Sequence, residues 1–228
     1  MPASPHQVWV VIAAYNEARA VADSVADVAS TGHRVVVIDD GSADDTGAIA
    51  ARAGATIITH PINLGQGAAL QTGLTFALMQ GAEIVVTFDA DGQHRAGDIA
   101  ALIDALTRHG ADFALGSRFL GNAVNLPRSR RLLLRAAIWF TRLTTGLQLT
   151  DAHNGLRAMT RRGAERIHLR QNRMSHASEL LHQIATSGLK YVEVPVTIHY
   201  NAYSLEKGQT LFDALLIVLD LFARRLHR

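Results

Sequence analysis

The sequence predicts an α/β fold: a mostly parallel sheet with helices on both faces. Three observations predict it. Short apolar runs alternate with helical patterns through the first half of the chain, the signature of repeated βα units. Several of these runs empty into carboxylates or small polar residues, and ligands bind at the carboxyl ends of strands in open α/β sheets. At 228 residues and 48% hydrophobic, the chain can bury a full core as one large domain, here taken as residues 1–228.

The expected strands are Val8–Ala13, Arg34–Ile38, Thr56–Thr59, Ile84–Phe88 and Phe113–Leu115. The helical patterns between them cover roughly 17–31, 44–54, 66–80 and 98–109. Ser42 or Asp44 is the expected cap of the second helix. After Phe119 the pattern changes. Gly121–Pro127 reads as a loop. Arg128–Leu143 reads as a helix that is basic, apolar and aromatic together. Residues 177–187 look helical, and Lys190–Tyr200 reads as two short strands broken at Pro195. Leu211–Phe222 is an apolar helical stretch interrupted only by Asp213 and Asp220, with Arg224, Arg225 and Arg228 beyond it. At 12 residues it is too short to span a bilayer.

The net charge of +2 hides an asymmetry. Residues 1–117 carry 5 Arg against 13 Asp and Glu, a net of −8. Residues 118–228 carry 17 Lys and Arg against 7 Asp and Glu, a net of +10. An acidic half suited to a metal thus precedes a basic half suited to phosphates or an anionic surface. Nucleic acid is not the expected partner, because aromatics are only 6% and no recognition motif occurs. The absence of cysteine excludes disulfides and thiolate metal sites. Met1–His6 lacks an apolar leader, so no export is expected.

Four constellations carry candidate chemistry. Asp89-Ala90-Asp91-Gly92-Gln93 follows the run Val85–Phe88. Two carboxylates and an amide oxygen make a hard-oxygen set suited to Mg²⁺ or Mn²⁺ carrying phosphates. Ala13-Ala14-Tyr15-Asn16-Glu17 ends the first strand, where Tyr15 could stack on a base and Glu17 accept from its amino groups. Asp39-Asp40-Gly41-Ser42 ends the second, where Asp40 could accept from a base or ribose. Asn63-Leu64-Gly65-Gln66-Gly67 leads into a helix whose exposed amides could meet phosphate. It is neither a dinucleotide-binding fingerprint nor a P-loop.

Taken in order, Ala-Tyr-Asn-Glu, Ile-Asp-Asp-Gly-Ser-x-x-Asp-Thr, Asp-Ala-Asp-Gly-Gln-His and the Gly-Ser-Arg-Phe at 116–119 resemble the family 2 glycosyltransferases of GT-A (Rossmann-like) fold. The dolichyl- and polyprenyl-phosphate sugar transferases are the most similar group. The resemblance covers residues 8–120 well and extends more loosely to about 210. It implies a nucleotide-sugar site lined by Ala13, Tyr15, Glu17, Ile38, Asp40, Gln66, Asp89, Ala90 and Lys207, with a UDP- or GDP-linked donor. It implies a Mg²⁺ or Mn²⁺ site at Asp89, Asp91 and Gln93. It places Asp91, Arg118 and Asp151 at the reaction centre, and Arg118, Arg130 and Arg157 toward an acceptor phosphate. Arginine's planar fork suits that task. The chain departs from the family pattern at Gln66, at Arg95-Ala96 and at Asn201, where one positive charge is missing.

The expected activity is an inverting, metal-dependent transfer of a hexose from a nucleotide sugar to polyprenyl phosphate. It would take place at the cytoplasmic face of a membrane, with the C-terminal amphipathic helices lying in the interface or docking on a small membrane protein. Two rivals stand beside it. Transfer to a saccharide or soluble hydroxyl would need Asp151 or another carboxylate as base. A nucleotide-sugar-binding subunit without turnover is the other.

Overall fold

A computed structural model describes residues 7–172 and 175–200. Over these residues the element order is β1 (Val8–Ala14), α1 (Val21–Ser30), β2 (Arg34–Asp39), α2 (Thr46–Arg52), β3 (Thr56–Thr59), α3 (Gln66–Met79), β4 (Ile84–Asp89), α4 (Gly97–His109), β5 (Phe113–Val124), α5 (Arg128–Thr145), β6 (Arg157–Thr160), α6 (Arg161–Ala164), α7 (Ser175–Thr186) and β7 (Tyr191–His199). The strands form one sheet in the order β3-β2-β1-β4-β6-β5-β7. β6 runs antiparallel to both β4 and β5, and the other neighbours are parallel. The expected mostly parallel α/β architecture is therefore present.

Alternation along the strands explains the two layers of helices. Val8, Val10, Ile12, Val35, Val37, Val86 and Phe88 face α1 and α4, meeting Val25, Val28, Ile99 and Leu102. Trp9, Val11, Val36, Ile38 and Val85 face the other way, toward Leu70 and Leu74 of α3 and Leu180 and Ile184 of α7. Successive strand residues point to opposite faces, so burial of both faces makes each strand read as a continuous apolar run. Val10, Val11 and Ile12 are wholly buried, each stabilising the fold by about 1.5–3 kcal/mol.

Several boundaries differ from the sequence expectation, each for a physical reason. β5 continues through part of the expected 121–127 loop because, past an irregularity between Ser117 and Asn122, it pairs again with β7. Residues 191–199 form one strand rather than two. Pro195 is tolerated because β7 is an edge strand and the proline stands opposite Ser117, at that same irregularity. β6 and α6 were not anticipated. α1 starts only at Val21, since residues 16–18 are tied down by α2's entry loop. There the Ser42 hydroxyl accepts from Asn16 N at 2.9 Å, and the Thr46 hydroxyl accepts from Glu17 N at 2.7 Å. Ser42 thus clasps β1's exit loop instead of capping α2, while Asp44 accepts from Thr46 N at 3.1 Å. The 211–222 stretch lies outside the described residues.

The topology gathers the functional segments at one edge. β1, β2 and β4 end there, and in register Ala14 pairs with Asp39 while Ala13 pairs with Asp89. The order reverses between β1 and β4, the switch point where α/β sheets bind ligands. Antiparallel β6 begins at the same edge, with Arg157 opposite Thr87.

Candidate active site

At the end of β4, Asp89 and Asp91 form an electrostatically coupled pair. Burial opposes the charge on Asp89. The hydrogen bond from His94 (Nε2 to Oδ2, 2.9 Å) and the charges of His94, Arg157 and His176 outweigh it and hold the carboxyl below its ordinary range. Asp91 goes the other way. Burial first, then repulsion from Asp89 and Glu17, push it up to about 6, although the amide of Gln93 donates to it at 3.1 Å. Two carboxylates that resist sharing negative charge form a site a divalent cation would relieve. The third expected ligand, Gln93, is held by its backbone, which receives His199 N at 2.9 Å, and it stands half-buried. Among the described residues, no cluster of three or more His, Cys, Asp or Glu side chains could by itself enclose a metal. Oxygens of a bound diphosphate are the natural complement of the pair.

The expected nucleotide-binding residues divide. Tyr15 is 45% exposed just past the end of β1, with Glu17 half-buried in the next turn and Ala13 half-buried in the strand. Asp40 is only 2% exposed. Its Oδ1 accepts from His60 Nδ1 (2.7 Å) and Leu64 N (3.0 Å), and its Oδ2 from Gly65 N (2.7 Å). Three of about four acceptor positions are filled, so Asp40 holds the 60–65 loop rather than offering a free carboxylate. Ile38 is a core residue, and Ala90 is buried with its carbonyl accepting from Ser24 Oγ at 3.0 Å. Neither can meet a ligand through its side chain. Lys207 lies outside the described residues.

The helix entry at Gly65-Gln66-Gly67 is a correction. Gly67 N donates to Asn172 O at 2.9 Å, and a Cβ on Gly65 or Gly67 would lie 2.0 Å from Asn172 O or 1.9 Å from Gln171 O. The glycines admit the 171–172 segment of the chain itself, so α3's N-terminus is covered and does not present its amides to phosphate. Gln66 stands half-buried at its start.

The arginines also separate. Arg118 is buried. Its backbone N and Nε both donate to Asp151 Oδ2 (3.0 and 2.6 Å), one terminal nitrogen donates to the carbonyl of His153 (2.7 Å), and the other donates to the hydroxyl of Tyr200. Burial works against its charge, but Asp151 and Tyr200 more than offset this and raise its pKa. Three of its five donors are spent internally. Asp151, its side chain fully buried, is therefore an anchor in this arrangement and not an accessible base. Its loop is fixed from below by Glu193, which accepts from Thr150 N (2.8 Å) and Asp151 N (3.1 Å). Arg157 is buried too, but no hydrogen bond or ion pair engages its guanidinium among the described residues. Desolvation lowers its pKa despite the nearby charges of Asp89 and Asp151. His153 is pushed down to about 4 by burial and then by Arg157, so at neutral pH it carries no charge. Arg130 lies over the Tyr200 ring at 5.2 Å, at the mouth of this cluster.

Residues 9–167 match the family described as Glycosyl transferase family 2. The chain belongs to that family. It is 30% identical over 223 residues to the UDP-N-acetylglucosamine–dolichyl-phosphate N-acetylglucosaminyltransferase of Methanococcus voltae, covering 88% of this chain and 89% of that protein. It is 30% identical over 226 residues to the polyprenol monophosphomannose synthase of Mycolicibacterium smegmatis, covering 92% and 85%. Among solved structures it is similar to glucosyl-3-phosphoglycerate synthase of Mycobacterium tuberculosis in complex with Mn²⁺, UDP and phosphoglyceric acid. There the TM-score is 0.69 at 22% identity, over 93% of this chain and 77% of that one. This family 2 glycosyltransferase thus has the GT-A fold its motifs implied. Residues that sequence reasoning left without a role are His94, His60, Gly155 and Tyr200. Of these His94 and Gly155 carried a local signal, His94 standing directly after Gln93 and Gly155 lying between Asp151 and Arg157 in the sequence.

Proposed function

We propose that this glycosyltransferase moves a hexose from a nucleoside-diphosphate sugar to a polyprenyl phosphate at a membrane surface, with inversion. The observation that carries the acceptor assignment is Arg157. Among the described residues no hydrogen bond or ion pair engages the buried Arg157, a cation costly to bury unless an anion completes it, and Arg157 opens β6 opposite Thr87 at the edge where the aspartate pair stands. A phosphate acceptor supplies that anion. Its oxygen is already ionised at neutral pH and needs no base, which agrees with Asp151 being sealed beneath Arg118.

Asp89 and Asp91, with Gln93 beside them, would hold Mg²⁺ or Mn²⁺, whose charge stabilises the departing diphosphate. Tyr15 and Glu17 face the base. In the step itself, an acceptor phosphate oxygen forms a bond to the anomeric carbon. The bond from that carbon to the diphosphate breaks, and its electron pair leaves with the nucleoside diphosphate.

The membrane clause is supported by α5. Leu132, Trp139 and Leu143 share one stripe at i, i+7, i+11 and are 72%, 67% and 64% exposed. Exposed Arg128, Arg131, Arg135 and Arg142 flank that stripe. This composition suits a helix lying in an anionic interface. No helix among the described residues is long and apolar enough to cross a membrane.

The test is a product analysis with UDP- and GDP-hexoses and Mn²⁺, offering a short-chain polyprenyl phosphate, 3-phosphoglycerate or an oligosaccharide. The expected product is a polyprenyl phosphohexose, lost in Arg157→Met. Product from either soluble acceptor and none from the lipid would overturn the acceptor assignment. Flotation with anionic vesicles should weaken when Leu132, Trp139 and Leu143 are changed to serine together. Unchanged flotation would remove α5 from the membrane account.

A further inference from the structure

The metal-site aspartate Asp89 is gripped from two sides by residues to which no role has yet been given. On one side His94 donates from Nε2 to Oδ2 at 2.9 Å. That ring is buried, packs against Phe88 with centroids 5.4 Å apart, and has no partner for Nδ1. Among the described residues the ring's only hydrogen bond is therefore the one to Asp89. On the other side Gly155 lies against the same carboxylate. A Cβ there would fall 2.1 Å from Oδ2 and 2.4 Å from both Cγ and Oδ1, closer than any real contact allows. Gly155 cannot drift away, because its carbonyl accepts from Thr87 Oγ1 at 2.6 Å and the next two residues lead into β6.

We infer that His94 and Gly155 are positioning residues for the metal. Together they fix the rotamer of Asp89, with His94 engaging Oδ2 and Gly155 packed against the carboxylate. This inference rests on the metal reading above. The clamp has a second consequence. Gly155 belongs to the loop that also carries Asp151, His153 and Arg157, so the loop that faces the acceptor also sets the geometry of the donor's metal ligand. A hydrogen bond that orients a ligating carboxylate typically changes metal affinity by 10- to 100-fold when removed.

The experiment titrates Mn²⁺ in the presence of UDP or GDP, following free Mn²⁺ by electron paramagnetic resonance, in the wild type and in His94→Gln, His94→Leu and Gly155→Ala. Metal-free thermal unfolding of each variant is measured alongside. His94→Leu keeps the bulk but removes the donor, and Mn²⁺ affinity is expected to fall about tenfold or more. His94→Gln restores an N–H at similar reach and should recover most of that loss. Gly155→Ala should weaken Mn²⁺ through displacement of the carboxylate. If the wild type binds Mn²⁺ with neither nucleotide, the metal reading itself fails, and this inference with it. If the wild type binds and His94→Leu binds equally well, only the clamp is overturned. Equal weakening in His94→Leu and His94→Gln would also overturn it, because packing and not the hydrogen bond would then be responsible. Should Gly155→Ala fail to fold, the two His94 variants still decide.

Discussion

Asp39-Asp40 and Asp89-Ala90-Asp91 close β2 and β4, the two strands that flank β1, and in the sequence they look alike. Both follow buried apolar runs and both place two carboxylates at the same sheet edge. Their surroundings in the structure differ. On β2 it is Asp40 that is spent within the protein. Asp39 accepts from Ser42 N at 3.0 Å, and Asp40 takes three hydrogen bonds that pin the 60–65 loop. Among the described residues the β4 carboxylates accept one hydrogen bond each, Asp89 from His94 and Asp91 from the amide of Gln93. Burial first, and then repulsion from Asp89, push Asp91 up to about 6. What separates Asp40 from the β4 pair is hydrogen-bonding capacity already filled, more than the carboxylates themselves.

The contrast can be broken in order of expected effect. Asp91→Asn should lower transfer by about 10³-fold, the several kcal/mol expected of a lost metal ligand. The same change should stabilise the metal-free protein at pH 7 by about 1–2 kcal/mol, because it removes a charge disfavoured by burial and by Asp89. Loss of stability with retained turnover would reverse the assignment. Asp40→Ala should do the opposite. It leaves His60 Nδ1 and the amides of Leu64 and Gly65 without this acceptor and costs on the order of 3 kcal/mol in denaturant unfolding. Transfer measured at low temperature, where the fold persists, should fall far less than in Asp91→Asn.

A smaller effect concerns pH. The Asp91 carboxyl is raised in the folded state. Its contribution to metal-free stability is therefore fully present below the unfolded value of 3.8 and is lost as pH rises through about 6. Mn²⁺ must displace that proton. The rise in melting temperature given by Mn²⁺ with nucleotide should shrink as pH falls from 7 to 5, and Asp91→Asn should show no such dependence. A pH-independent rise in the wild type would remove Asp91 from the metal site.

Much of the β4 site was legible because its parts are contiguous: the strand, the carboxylates and Gln93 stand within ten residues. The partition of the arginines was not. Arg118 and Arg157 look equivalent as free cations in the sequence, and what separates them is Asp151 at 33 residues' distance and Tyr200 at 82. The covering of α3's N-terminus by Gln171 and Asn172 was hidden for the same reason, since glycines that admit a phosphate and glycines that admit a backbone carbonyl look the same. β6 escaped notice because four residues, Arg157–Thr160, become a strand only through pairing with β4 and β5.

The most direct measurement is anomalous diffraction at the manganese edge from crystals grown with Mn²⁺ and a nucleoside diphosphate. The account predicts a single strong peak within coordination distance, about 2.0–2.6 Å, of carboxylate oxygens of both Asp89 and Asp91, and none at Asp39 or Asp40. A peak at the β2 pair, or manganese bound to the diphosphate without touching Asp89 or Asp91, would contradict it.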